Sequence, residues 1–132
     1  MDEILIHKKT TIERCIKRIN EDFQDDFLYN FTKQDAVILN IERACQAAID
    51  IGTHLIKIKN LGLPQSNRDV FEKLEKDGIV PVKLSERLKS MAGFRNLAIH
   101  DYSSMNIDVV VKIVKNNLED LLEFADMAIS AG

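Results

Sequence analysis

Between Thr32 and Asn60 the chain carries Val37, Ile41, Ala44, Ala48, Ile51, Leu55 and Ile58, each three or four positions from the last. That spacing is helical; a half-buried strand would alternate with a period of two. It predicts one long helix over about residues 33 to 59. Ala44, Ala47, Ala48 and Gly52 leave room on it for another helix to approach closely. Asn60, Gly62 and Pro64 stop it. Its start reads as a variant capping box in "TKQD", with Thr32 capping and Asp35 standing where Glu is usual.

The rest of the chain repeats the pattern in shorter pieces. Leu5, Ile12, Ile16 and Ile19, with Cys15 alongside, predict a first helix over about residues 2 to 20. Phe23, Phe27 and Phe31 then stand four apart, as a continued helix or an apolar connector. "SNRDVFEKLEKDG" reads as a short helix capped by Ser66 with Asp69 and ended by Gly78. Another starts near Pro81 and carries Leu84, Leu88, Met91 and Phe94 straight into Arg95. "SSMNID" breaks the pattern, and Asn106 or Ser104 can cap a final helix with Val110, Val114, Leu118, Leu121, Leu122, Ala125 and Ile129. Aromatics are only 6%, Trp is absent, and there are five Gly and two Pro, a composition that favours helices over strands. The expectation is an all-α bundle of about five helices in a single domain over residues 1–132.

Several classes of function are disfavoured. "MDEILIHKKTTIERC" mixes acids and bases without an apolar run, and no window suits a membrane span, so a cytoplasmic protein with no membrane partner is expected. Cys15 and Cys45 are isolated, which indicates neither disulfides nor zinc; no metal or cofactor is expected. A net charge of −3 argues against gripping nucleic acid by bulk electrostatics but leaves room for a local basic cleft. Lys83, Arg87, Lys89 and Arg95 stand against Glu86 alone, whereas Glu119, Asp120, Glu123 and Asp126 crowd the last stretch.

The chemistry concentrates in "GFRNLAIHDY", residues 93 to 102. Asn96 and His100, four apart, share a helix face. Arg95 and His100, five apart, would be splayed by roughly 140° on an ideal helix. They converge if the helix ends near Ala98, or if a symmetric dimer brings two copies of the motif together. These groups suit phosphodiester chemistry. His can take a proton from a ribose 2′-OH and return one to the leaving 5′-oxygen, while Arg stabilises charge on the phosphoryl oxygens. RNA supplies its own nucleophile, so this chemistry needs no metal.

"MAGFRNLAIHDY" resembles the Arg-x4-His-x-Tyr motif of HEPN-domain proteins, specifically the HepT-like toxins. "ACQAAIDIGTHLI", "VFEKLEKDGIVP" and "LKSMAGFRN" resemble the same family in the same order, so the likeness covers nearly the whole chain. The resemblance implies a HEPN-type bundle, a homodimer, and a metal-independent endoribonuclease that cleaves RNA by 2′-OH attack and leaves a cyclic phosphate. It implies the toxin of a type VII-like two-gene module whose antitoxin is a minimal nucleotidyltransferase. By position, Arg95 and His100 match the catalytic pair, Asn96 the supporting polar residue, and Tyr102 the tyrosine that such antitoxins modify with AMP.

Other readings stand beside it. A HEPN fold can also serve as a non-catalytic binding module assisting a nucleotidyltransferase. An interaction protein working only through its dimer interface would lean on the Phe row. Lys83, Arg87 and Lys89 read either as a phosphate track for RNA or as a solvated face. His54 is expected to be a half-buried packing residue, His7 exposed, both Cys small apolar groups, and Glu119 to Asp126 solvated surface.

Overall fold

The computed structural model describes residues 2–132. Six α-helices follow one another: α1 Glu3–Asp22, α2 Phe31–Ile58, α3 Asn67–Lys76, α4 Val82–His100, α5 Ile107–Asn116 and α6 Leu118–Ala131. Single 3₁₀ turns at Phe27–Tyr29 and Tyr102–Ser104 precede α2 and follow α4. No strand occurs among the described residues. The all-α expectation holds, with six helices instead of about five.

The extra helix comes from a break in the last predicted one. Asn117 stands between the two runs with φ widened to −119° at ψ −10°, and its N–H closes α5 on the Ile113 carbonyl at 2.9 Å. Its side-chain amide donates to Asp120 Oδ2 at 3.2 Å in the first turn of α6. Asn competes locally for backbone and neighbouring polar groups and so favours such joints over helix interiors. The apolar stripe runs through unbroken because both halves face the same core.

The caps follow local hydrogen bonding. Asp2 Oδ1 accepts from the Ile4 and Leu5 amides at 2.9 and 3.2 Å, which starts α1. Asn30, rather than Thr32, caps α2, its Oδ1 accepting from the Lys33 amide at 3.0 Å. The 3₁₀ turn delivers Asn30 in extended geometry, so Phe31 is already helical and Thr32 lies inside the helix. The phenylalanines therefore form no row. Phe27 is buried against Phe23, with ring centroids 4.9 Å apart, while Phe31 points to solvent. Ser66 caps α3 and Asn106 caps α5, as the sequence suggested.

α2 lies at the centre, with α1, α3, α4 and α6 packed around it. Its small residues Ala44, Ala47, Ala48 and Gly52 are all buried. At Gly52 the approach of α3 is so close that an added Cβ would come within 2.4 Å of Val70 Cγ1. Ion pairs tie the outer helices: Lys8 to Asp50 at 3.0 Å, Lys9 to Asp126 at 2.6 Å, and Arg87 to Asp120 at 3.0 Å. Asp120 is buried, so the acidic stretch of α6 is not uniformly solvated surface. His54 does more than pack: its Nε2 pairs with Asp2 Oδ2 at 2.7 Å, joining the α1 cap to α2.

Two outcomes are expected. Gly52→Ala should lower the thermal midpoint. Overpacking against a stiff, β-branched Val70 costs about 1–3 kcal/mol, against a helix-propensity gain of about 1 kcal/mol. The hydrogen bond from His54, followed by the α1 amides, holds the Asp2 carboxyl below its ordinary 3.8. A depressed carboxyl stabilises the fold fully above 3.8, and that stability is lost as pH falls through the folded-state value. Asp2→Ala should therefore lower the midpoint at pH 7 and matter progressively less below pH 3.8, as melting curves across that range would show.

Candidate active site

The rotation of α4 is set by its core stripe. Leu84, Leu88, Met91 and Phe94 are buried, which leaves Arg95 and Asn96 half-buried at the helix edge and His100 exposed at its end. α4 runs helically through His100, closed by the Asp101 amide on the Leu97 carbonyl at 2.9 Å. The helix does not end near Ala98, so one chain does not fold Arg95 and His100 together; they keep the roughly 140° splay of five helical steps.

Arg95 is held by one side-chain amide, which a second amide braces. Its Nη1 donates to Asn96 Oδ1 at 3.0 Å, and the same oxygen accepts from Asn67 Nδ2 of α3 at 3.2 Å. Asn96 thus steadies the guanidinium, and no hydrogen bond joins it to His100 among the described residues. Arg95 Nε is buried without a partner. The buried thiol of Cys45 on α2 feels the Arg95 charge: burial pushes that thiol up, Glu42 adds to this, and Arg95 opposes it.

Beyond His100 the chain turns sharply. Asp101 accepts from Ser103 Oγ at 3.3 Å and Ser104 Oγ at 2.7 Å, which organises the 3₁₀ turn Tyr102–Ser104. Tyr102, 44% exposed, donates its phenolic hydrogen to Asp35 Oδ1 on α2. Partial burial, then this hydrogen bond and the Asp35 charge, push the phenol up to about 12. Asp35, read above as half of a capping box, is thus part of the site. Neither Asp35 nor Asn67 carries a local signal, since each meets the motif only through helix packing.

The basic residues of α4 do not form one track. Arg87 reaches Asp120 of α6, and Lys89 pairs with Glu72 and, at 3.6 Å, with Glu75 of α3. Lys83 is exposed and has no ion pair among the described residues. No helix there is long and apolar enough to cross a membrane, and no three His, Cys, Asp or Glu are grouped to hold a metal ion.

An all-α bundle presenting Arg, Asn, His and Tyr in this order at one helix end is the arrangement of a HEPN-type domain. Residues 9–128 match the family profile described as Ribonuclease HepT-like, and the chain belongs to that family. It is 46% identical to an mRNA nuclease HepT of Shewanella oneidensis, over 96% of this chain and 97% of that one. It is 26% identical to a tRNA nuclease HepT of Aphanizomenon flos-aquae, over 79% of this chain and 71% of that one. Among solved structures it resembles the tri-AMPylated Shewanella oneidensis HEPN toxin in complex with MNT antitoxin. That match has a TM-score of 0.93 and 45% identity, over 98% of this chain and 99% of that one. A toxin–antitoxin structure with AMP-PNP matches at a TM-score of 0.92 and 45% identity, over 97% and 99% of the two chains.

The Tyr102–Asp35 contact has a spectroscopic consequence. The Tyr102 ring carbon shifts should show the phenol still protonated at pH 11, because its midpoint lies near 12. In Asp35→Asn the negative charge is gone, so the midpoint should move down towards the ordinary 10.0.

Proposed function

We propose that this chain is the toxin of a type VII-like toxin–antitoxin module. It is a metal-independent endoribonuclease that acts as a homodimer and is neutralised when a nucleotidyltransferase antitoxin attaches AMP to Tyr102. The observation that carries this reading is the 46% identity to a nuclease along 96% of the chain, beside the complete Arg-x4-His-x-Tyr motif in this sequence.

The splay of Arg95 and His100 supports the dimer. A single chain offers one exposed imidazole and one half-buried guanidinium on different sides of α4. A two-fold pairing through this end would set two of each around a shared cleft. Leu39, one turn along α2 from Asp35, and Ile99, next to His100, are apolar and over 40% exposed, which suits such a pairing. In the cleft, one His100 would draw the proton from the ribose 2′-OH. The other would return one to the departing 5′-oxygen, and the cyclic phosphate would remain on the RNA. Arg95 would stabilise the charge that grows on the phosphoryl oxygens.

Modification fits the same geometry. Tyr102 stands two residues beyond His100 with its phenol partly exposed. An AMP group there adds a phosphodiester charge and a nucleoside beside the catalytic groups, and so occupies the ground an RNA phosphate needs. The AMPylation of a toxin 45% identical to this chain supports the assignment.

Purified AMP-free dimer, incubated with total cellular RNA in excess EDTA, should cut it and leave cyclic-phosphate ends. His100→Ala should lose at least about 100-fold in rate, the usual worth of general acid–base catalysis, and Arg95→Ala a similar factor. Tyr102→Phe should still cut and should escape the antitoxin. Intact RNA after exposure to AMP-free dimer would overturn the reading in favour of a binding module.

A further inference from the structure

We propose that Asp35 is the catalytic base for the modification of Tyr102, supplied by the toxin itself. The inference rests on the reading of Tyr102 as the AMP acceptor and names the group that takes its proton. A phenol has one hydrogen to donate, and here it goes to Asp35 Oδ1 across from α2. With the hydrogen committed to that side, the oxygen's lone pairs are left for an electrophile arriving from solvent.

The step balances without any further group. The Tyr102 oxygen attacks the α-phosphorus of a nucleoside triphosphate and forms a new O–P bond. The bond from that phosphorus to the bridging oxygen of the β-phosphate breaks, pyrophosphate departs with the bonding electrons, and the phenolic proton passes to the Asp35 carboxylate. A base is needed because the free phenolate is scarce at neutral pH: the phenol is held up near 12. Among the described residues the Tyr102 hydroxyl has no other hydrogen-bond partner. Asp101, the carboxylate next to Tyr102 in sequence, is occupied by Ser103 and Ser104. Asp35 itself takes no other hydrogen bond and no ion pair among the described residues.

The stability role that could explain such a contact is small here. Both partners are exposed, and the turn carrying Tyr102 is already organised by Asp101. Asp35 caps nothing, since Asn30 caps α2. Its carboxylate therefore has one visible task, at the reacting atom.

The test follows AMP transfer by intact mass, using the toxin, its module's nucleotidyltransferase, ATP and Mg²⁺. Asp35→Asn keeps an oxygen that can seat the phenol but removes the base. Its transfer rate at pH 7 should fall about 100-fold, with KM for ATP and affinity for the antitoxin unchanged. That residual rate should climb about tenfold per pH unit as phenolate forms, a dependence the native protein lacks. Asp35→Glu should recover part of the rate. Because Asp35→Asn also makes the phenol more acidic, transfer at or above the native rate would overturn the proposal. Tyr102→Phe reports on the underlying reading. AMP transfer to that variant at the native rate would overturn the acceptor assignment and this proposal together. A Tyr102→Phe blank beside an unimpaired Asp35→Asn would overturn the proposal alone.

Discussion

The close approach of other helices to α2 is the constraint on which the rest of the structure depends. Four helices share this one, and thirteen of its residues are buried between them. α3 is drawn against its C-terminal half at Gly52, where not even a methyl group fits. α4 is drawn against its other half, as the influence of Arg95 on Cys45 and the reach of Tyr102 to Asp35 show. Interiors packed at this density do not deform smoothly. The position of the motif is therefore set in part by how closely α2 lets its neighbours approach.

Charge is arranged around that core in a way the average conceals. Lys9, Arg87, Lys89 and His54 each meet a carboxylate on another element. The more exposed of these, such as Lys9–Asp126, contribute little singly. The Arg87–Asp120 pair differs, because Asp120 is buried and needs both Arg87 and Asn117. The consequence for RNA binding is subtractive. Of the cations along α4, Arg87 and Lys89 are committed to carboxylates of α6 and α3, while Lys83 stays exposed; on the proposed reading it is Arg95 and His100 that would meet a phosphate. Further round the molecule, Arg14, Arg18 and Arg43 line a groove between α1 and α2 with no ion pairs among the described residues.

Helical periodicity made the fold legible, because each amphipathic stripe reports the one face its helix must bury. The motif was legible as well, since Arg95, Asn96, His100 and Tyr102 lie within eight positions of one another. What escaped reading depends on neighbours distant in sequence. Thr32 and Asn30 are both good capping residues, and only the preceding 3₁₀ turn decides between them. Asp35 could not be linked to a tyrosine 67 residues away. Asn67 gave no sign that it would meet Asn96 from α3. The break at Asn117 was hidden because α5 and α6 bury the same side, so the stripe crosses the joint without interruption.

On the proposed reading, one helix end sets both activity and its suppression. α4 carries Arg95 and His100 rigidly, since both lie within the helix, whereas Tyr102 sits just past it on a turn held by Asp101. That difference has a purpose in physical terms. Catalytic groups gain from fixed geometry, because small displacements cost large factors in rate. An acceptor tyrosine must instead leave its seat on Asp35 to carry a nucleotide, and an exposed hydrogen bond at a turn yields more readily than a helix. Once the phenol carries a phosphodiester, Asp35 faces an anion in place of a hydrogen-bond donor, and repulsion keeps the modified side chain from returning. On this reading the residue that helps create the blocking charge also repels it from α2.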